Sequence, residues 1–152
     1  MAVKNNLVVL LVGLFATITA AADDRRAEAN YMLHCQGCHL PGAEGSEGRV
    51  PPMNDFVGYF LHSKAGREFL IRVPGVAHAA LTDDEIAELM NWLLPRFSRA
   101  QLPKQFEPFT VAEVSRLRAD VEQAPDVTRV RILSKISADD PSLEIEIANN
   151  NN

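Results

Sequence analysis

The stretch Cys35-Gln36-Gly37-Cys38-His39 decides how the chain is read. It holds the only two cysteines of 152 residues, three positions apart, with a histidine directly after the second. On a helix, thiols at that spacing lie about one turn apart, which suits addition to the two vinyl groups on neighbouring edges of one porphyrin. The histidine that follows then lies under the iron as an axial ligand. C-x-x-C-H is thus the attachment signature of one covalently held c-type haem, with Cys35, Cys38 and His39 as the residues that hold it. Two rivals are weaker. A redox C-x-x-C follows a strand and opens a helix in an alternating strand–helix pattern, whereas this pair follows a helical stretch and opens a loop. A structural zinc site draws its four ligands from two separated pairs. His34, Cys35, Cys38 and His39 are too crowded to surround one ion.

Upstream of the motif, Asp23 and Asp24 suit the start of a helix. Ala27, Tyr31 and Leu33 give it an apolar stripe, and no Gly or Pro interrupts it before the motif. Met1 to Ala22 reads as a secretory leader. Lys4 supplies the positive start, Leu7 to Ile18 is an apolar run broken only by Gly13 and Thr17, and Ala20-Ala21-Ala22 offers small residues for cleavage. The run is too short to span a bilayer, which takes about 20 residues, so no membrane span is expected once the leader is removed. The rest of the chain is expected in the periplasm or an equivalent exported compartment. Thiols there face oxidation, and a thioether bond to haem is one stable fate for them.

Downstream, Gly37 to Pro52 is rich in Gly and Pro and reads as a loop. A short helix or turn is expected over Asp55–Leu61, and a second apolar piece over Gly66–Val73, where a strand is an alternative. Pro74-Gly75 should break it. Thr82-Asp83-Asp84-Glu85 is a capping box, with Leu81 and Ile86 placed for a hydrophobic staple. Ile86, Leu89, Met90, Leu93 and Leu94 then recur at helical spacing, and Pro95 should limit the far end. Arg99 to Pro108 reads as a linker. A second box, Thr110 to Glu113, opens a helix with Val111, Val114, Leu117 and Val121 on one side, and Val127 to Ile136 is a basic amphipathic stretch. The predicted organisation is a leader over 1–22, a haem domain over 23–98, a helical C-terminal extension over 99–137, and a polar, disordered tail over 138–152.

These residues resemble the class I mono-haem c-type cytochromes, over about Asp24 to Phe97. In that family a helix leads into the haem motif with an aromatic one turn before the first cysteine, and Tyr31 stands there. A small residue one turn further back lets the two terminal helices cross, and Ala27 fits. An aromatic on the last core helix packs on the crossing, and Trp92 matches it. A proline carbonyl often steadies the proximal histidine, and Pro51 or Pro52 can do so for His39. The resemblance implies an all-α fold, a helical shell around one covalent haem c, here with a helical C-terminal extension. It implies an electron carrier rather than an enzyme, exchanging single electrons with redox proteins as donor and acceptor.

One departure bears on the iron. The family places a methionine before the last helix as sixth ligand, and the loop Val73 to Leu81 has none. His78 is the candidate in that loop and Met53 is the rival. Met90 lies on the apolar stripe, and His62, beside Ser63 and Lys64, reads as a solvated loop residue. Arg49, Arg67 and Arg72 are candidates for haem propionates. Haem-based binding of a small gas at an open sixth position is the alternative function. An electron-accepting subunit of a dehydrogenase is another. The formal charge of −5 gives no support to a nucleic-acid surface.

Overall fold

A computed structural model describes residues 24–143 and Ile145. The expected leader and most of the expected tail lie outside the described residues. The regular structure within them is helical, apart from one antiparallel bridge between Ser46 and Val50. The fold is all-α, as the family resemblance implies.

Helix α1 covers residues 24–34, and the one-turn α2, Gln36–His39, continues it past Cys35. The Cys35 N–H donates to Tyr31 at 2.9 Å and the His39 N–H donates to Cys35 at 2.9 Å, so the motif hangs from the end of α1. Ala27 is fully buried and Tyr31 nearly so. The Tyr31 ring lies 6.0 Å from Trp92 and 5.0 Å from Phe97. Both partners belong to α5, Asp83–Phe97. Arg26 Nε donates to Glu88 at 2.6 Å across the same junction. The crossing expected at Ala27 is therefore present.

Between these helices, a six-residue 3-10 helix, Val57–His62, leads into α3, Lys64–Arg72. Ser63 caps α3 by accepting from the Gly66 N–H at 3.0 Å, an arrangement worth about 1 kcal/mol. Gly66 is required for packing, because a Cβ there would overlap the Phe60 carbonyl oxygen. The strand alternative for 68–73 fails because three successive apolar residues, Phe69, Leu70 and Ile71, are all buried. A helix enclosed by the 57–62 turn and by both helices of the C-terminal extension can bury all three. Pro74 does not merely break α3. It opens the single turn α4, Pro74–Ala77, where its missing N–H costs nothing.

Helix α5 runs two residues beyond Pro95, further than the sequence suggested. Pro95 lacks the N–H that would bond the Asn91 carbonyl, a loss that the packing beyond it offsets. The Ser98 N–H still closes on Leu94 at 3.0 Å, and Leu94 and Phe97 are held by packing. The Thr82 N–H and hydroxyl both donate to the Glu85 carboxylate at 2.8 Å, which fixes the helix start.

The C-terminal extension carries α6, Val111–Arg118, and α7, Pro125–Asp139. It folds back on α3, α5 and the 57–62 turn. The expected tail boundary at 138 is corrected. Helix α7 runs to Asp139, a 3-10 turn spans Pro141–Leu143, and Ile145 is buried. The cause is apolar: Leu143 and Ile145 join the core reached by Ile132, Leu133 and Ile136. Among the described residues, no helix is long and apolar enough to cross a membrane.

Candidate functional site

Cys35, Cys38 and His39 line one cavity of about 380 Å³, within the size range of small-molecule and cofactor sites. Its walls are largely apolar. Val57, Phe60, Phe69 and Leu70 come from the middle of the chain, and Ile86, Leu89, Met90 and Leu93 from one face of α5. The sequence has thus placed the α5 stripe against the motif rather than only against other helices.

The motif is held by a bent loop. Leu40 and Ala43 have φ of +65° and +63°, left-handed conformations that cost a non-glycine residue about 1–3 kcal/mol each. The Tyr31 hydroxyl donates to the Leu40 carbonyl at 2.6 Å, and the Gly45 N–H donates to the His39 carbonyl at 3.0 Å. Burial, then the neighbouring Cys35 charge, pushes the Tyr31 hydroxyl up to about 12, so it stays a donor.

Both thiols are free. Burial, followed by the charge of Cys38, pushes Cys35 up to about 11. A reactive redox dithiol needs a lowered value, and Cys35 is shifted the other way. Burial also holds the His39 ring below the ordinary histidine value, against the opposing effect of the Pro51 carbonyl. Neutral imidazole is the form that binds a metal. Nδ1 of His39 is buried and makes no hydrogen bond of good geometry, so the nearby Pro51 carbonyl attracts the ring without closing on it. Of the two prolines named from the sequence, Pro51 is the one beside the ring.

Comparison with known proteins bears on the family. The chain is 33% identical over 109 residues to a cytochrome c-552 of Thermus thermophilus, covering 60% of this chain and 83% of that protein. A second cytochrome c-552, also from Thermus thermophilus, is 33% identical over 109 residues, covering 60% of this chain and 74% of the relative. The chain belongs to the class I c-type cytochromes. No protein-family model matches it, and no solved structure matches it. Cytochromes c carry covalent haem c and pass single electrons between redox partners. The residues present fit that group: two free thiols and a half-buried imidazole converge on one apolar cavity.

The sixth-ligand candidates fare differently. His78 is exposed and does not line the cavity. The reason is local. The His78 N–H bonds back to Pro74 at 3.0 Å, and the turn of α4 sends Val76 and Ala79 to the cavity instead. Met53 does line the cavity. Its N–H donates to the Ala43 carbonyl at 2.8 Å, which ties it to the loop after His39. It stands two residues from Pro51, the residue beside the His39 ring. Met90 also faces the cavity from α5. His62 is half-buried, with Nε2 3.0 Å from the Gln101 carbonyl oxygen, rather than solvated.

Of the three arginines singled out in the sequence, only Arg49 lines the cavity. Arg67 makes a two-pronged pair with Glu113, 2.7 and 2.8 Å, and its guanidinium lies 4.0 Å above the Phe109 ring. Arg72 reaches the Asp120 carbonyl at 2.7 Å and its carboxylate at 3.0 Å. Sequence reasoning missed Pro125, Asp126 and Arg129, which the extension adds to the cavity wall. The signal available was the polar Asp126 and Arg129, three apart at the start of an otherwise apolar-faced helix.

Proposed function

We propose that the chain is an exported one-electron carrier, with Cys35 and Cys38 as haem attachment residues and His39 as the proximal iron ligand. The observation that carries this is the convergence of both free thiols and His39 on one apolar cavity. Bound haem would supply the redox couple, ferric to ferrous. The protein's own residues hold and exclude. Cys35 and Cys38 fix the edge of the porphyrin, His39 presents a neutral ring, and Phe60, Leu70, Leu89 and Leu93 keep water from its faces. The exposed side of Cys38, beside exposed Met32, Leu33 and Leu40, supports docking of a donor or acceptor protein there. Residues 1–22 support export by their leader pattern.

The test is production in a host that both exports and matures c-type cytochromes. The intact protein should carry one haem that survives denaturation, and Cys35→Ser or Cys38→Ser should weaken or abolish that linkage. An unmodified polypeptide from a competent host overturns the proposal.

One observation favours a second reading, haem-based binding of a small gas. The wall from 73 to 81 presents Val73, Gly75, Val76, Ala79 and Leu81 to the cavity, none of which can bind iron. An open position is compatible with either reading, so electron exchange with a redox protein separates them: a carrier exchanges electrons rapidly, and a gas binder does not.

A further inference from the structure

Arg129 is a charged residue of the C-terminal extension, yet it is only 8% exposed. It lines the cavity that holds Cys35, Cys38 and His39. A solvated arginine on a surface helix would extend its head to water, and this one does not. Its guanidinium lies 4.9 Å from the centre of the Phe56 ring. Among the described residues it makes no salt bridge and no hydrogen bond. Asp126, one turn earlier on α7, acts on it only at longer range, and burial lowers its affinity for the proton.

That combination is costly as it stands. A buried charge without a hydrogen-bonded partner is destabilising, and an aromatic face offsets only part of that cost. A buried guanidinium facing an apolar cavity calls for an anion inside the cavity, and its flat fork suits a carboxylate gripped by two hydrogen bonds. Haem carries two propionates, the only carboxylates that the proposed occupant would bring. Arg67 and Arg72 are already paired with Glu113 and Asp120. Arg49 lines the cavity but is exposed, so its charge is screened by water.

We propose that Arg129, delivered by the C-terminal extension, pairs inside the cavity with a haem propionate. This rests on the haem reading above. The extension then completes the haem site and raises the reduction potential. A fixed cation beside a propionate offsets negative charge near the iron, and less negative charge favours the ferrous state. Phe56 orients the guanidinium from one side, and the carboxylate is met from another.

The test compares the full-length holoprotein with Arg129→Met and Arg129→Lys, after mass spectrometry has confirmed covalent haem in each. Two quantities are read: the reduction potential, and the propionate bending band in the resonance Raman spectrum of the ferrous protein. Arg129→Met should lower the potential and shift the band. Arg129→Lys keeps the charge but loses the fork, so it should shift the band while holding the potential close to the parent. If Arg129→Met does not fold, the band shift in Arg129→Lys decides alone. Holoprotein whose band is unmoved in every folded variant overturns the pairing, even where the potential falls. A parent protein without haem overturns the haem reading and this inference with it.

Discussion

The side chain of Asn91, in the middle of α5, makes a matched pair of hydrogen bonds with the backbone of Phe109. The Phe109 N–H donates to Oδ1 at 2.7 Å, and Nδ2 donates to the Phe109 carbonyl at 2.9 Å. Phe109 is buried, so water cannot replace either bond. One side chain thereby fastens the linker, just before α6, to the last helix of the haem region. Each unsatisfied buried group costs about 1–3 kcal/mol. Asn91→Ala should therefore lower stability by about 2–3 kcal/mol in a denaturant melt. A loss under about 0.5 kcal/mol, typical of a surface change, would mean that the extension is only loosely attached.

Trp92 tests the crossing of α1 and α5. Its ring lies 6.0 Å from Tyr31 and 5.8 Å from Phe97, edge-on to the latter. Arg96 lies 5.7 Å from the ring centre on the outer side. The ring is half-buried rather than fully enclosed, so Trp92→Ala should cost about 3 kcal/mol, the low end for a large aromatic. Loss of the aromatic pairs is included in that figure. A melt shifted no more than by a surface substitution would remove the crossing as a source of stability.

Glu113 gives the fold a dependence on acid. The Arg67 guanidinium holds its carboxyl below the ordinary glutamate range, against a smaller opposing effect of burial. A carboxyl depressed in the folded state binds fewer protons there than in the unfolded chain. Its contribution is therefore complete above the ordinary glutamate value, about 4.3, and disappears as the pH falls through the folded value. Glu113→Gln should be less stable than the parent at neutral pH, and the gap should close in acid. An equal gap at pH 7 and pH 3 would show that charge on Glu113 contributes nothing.

The local signals in the sequence were those that depend on near neighbours. The capping boxes at Thr82 and Thr110 and the helical stripe from Ile86 to Leu94 are legible because spacing alone encodes them, whereas the Ala27–Tyr31–Trp92 set is legible only through the family resemblance. The motif at Cys35 named its own chemistry. The extension was read as helical but not as part of the haem cavity. Its approach depends on Asn91 meeting Phe109, on Arg67 meeting Glu113 and on Arg118 meeting the 77–81 loop, pairings 18 to 46 residues apart that no periodicity reveals. Its lost hydrogen bond alone makes Pro95 look like the end of α5, but the packing of Leu94 and Phe97 carries the helix two residues further. His78 was placed over the iron by its position in the loop, and the side to which a one-turn helix sends each residue was not visible in the sequence.

The sixth iron position follows from how that loop is held. Arg118, on α6, donates to the carbonyls of Ala77 at 3.1 Å, Ala79 at 3.0 Å and Leu81 at 2.8 Å, and to the Asp83 carboxylate at 2.9 Å. The guanidinium thus fixes the backbone on both sides of His78, which points outward. Bringing His78 to the cavity would break several of these charge-assisted bonds, each worth about 1.5–3 kcal/mol. Met53 is tied by its N–H to Ala43, in the loop that follows His39. Haem held here would take His39 as its ligand, and the 73–81 wall would offer it Val76, Ala79 and Leu81, none of which can bind iron. Ferrous protein should then bind carbon monoxide at once, and the ferric spectrum should lack the weak red band of a sulfur–iron bond. His78→Ala and Met53→Ala should leave both properties unchanged. A red band lost in Met53→Ala would make Met53 the ligand. A parent that resists carbon monoxide until His78 is replaced would mean that the loop rearranges against Arg118 when haem is attached.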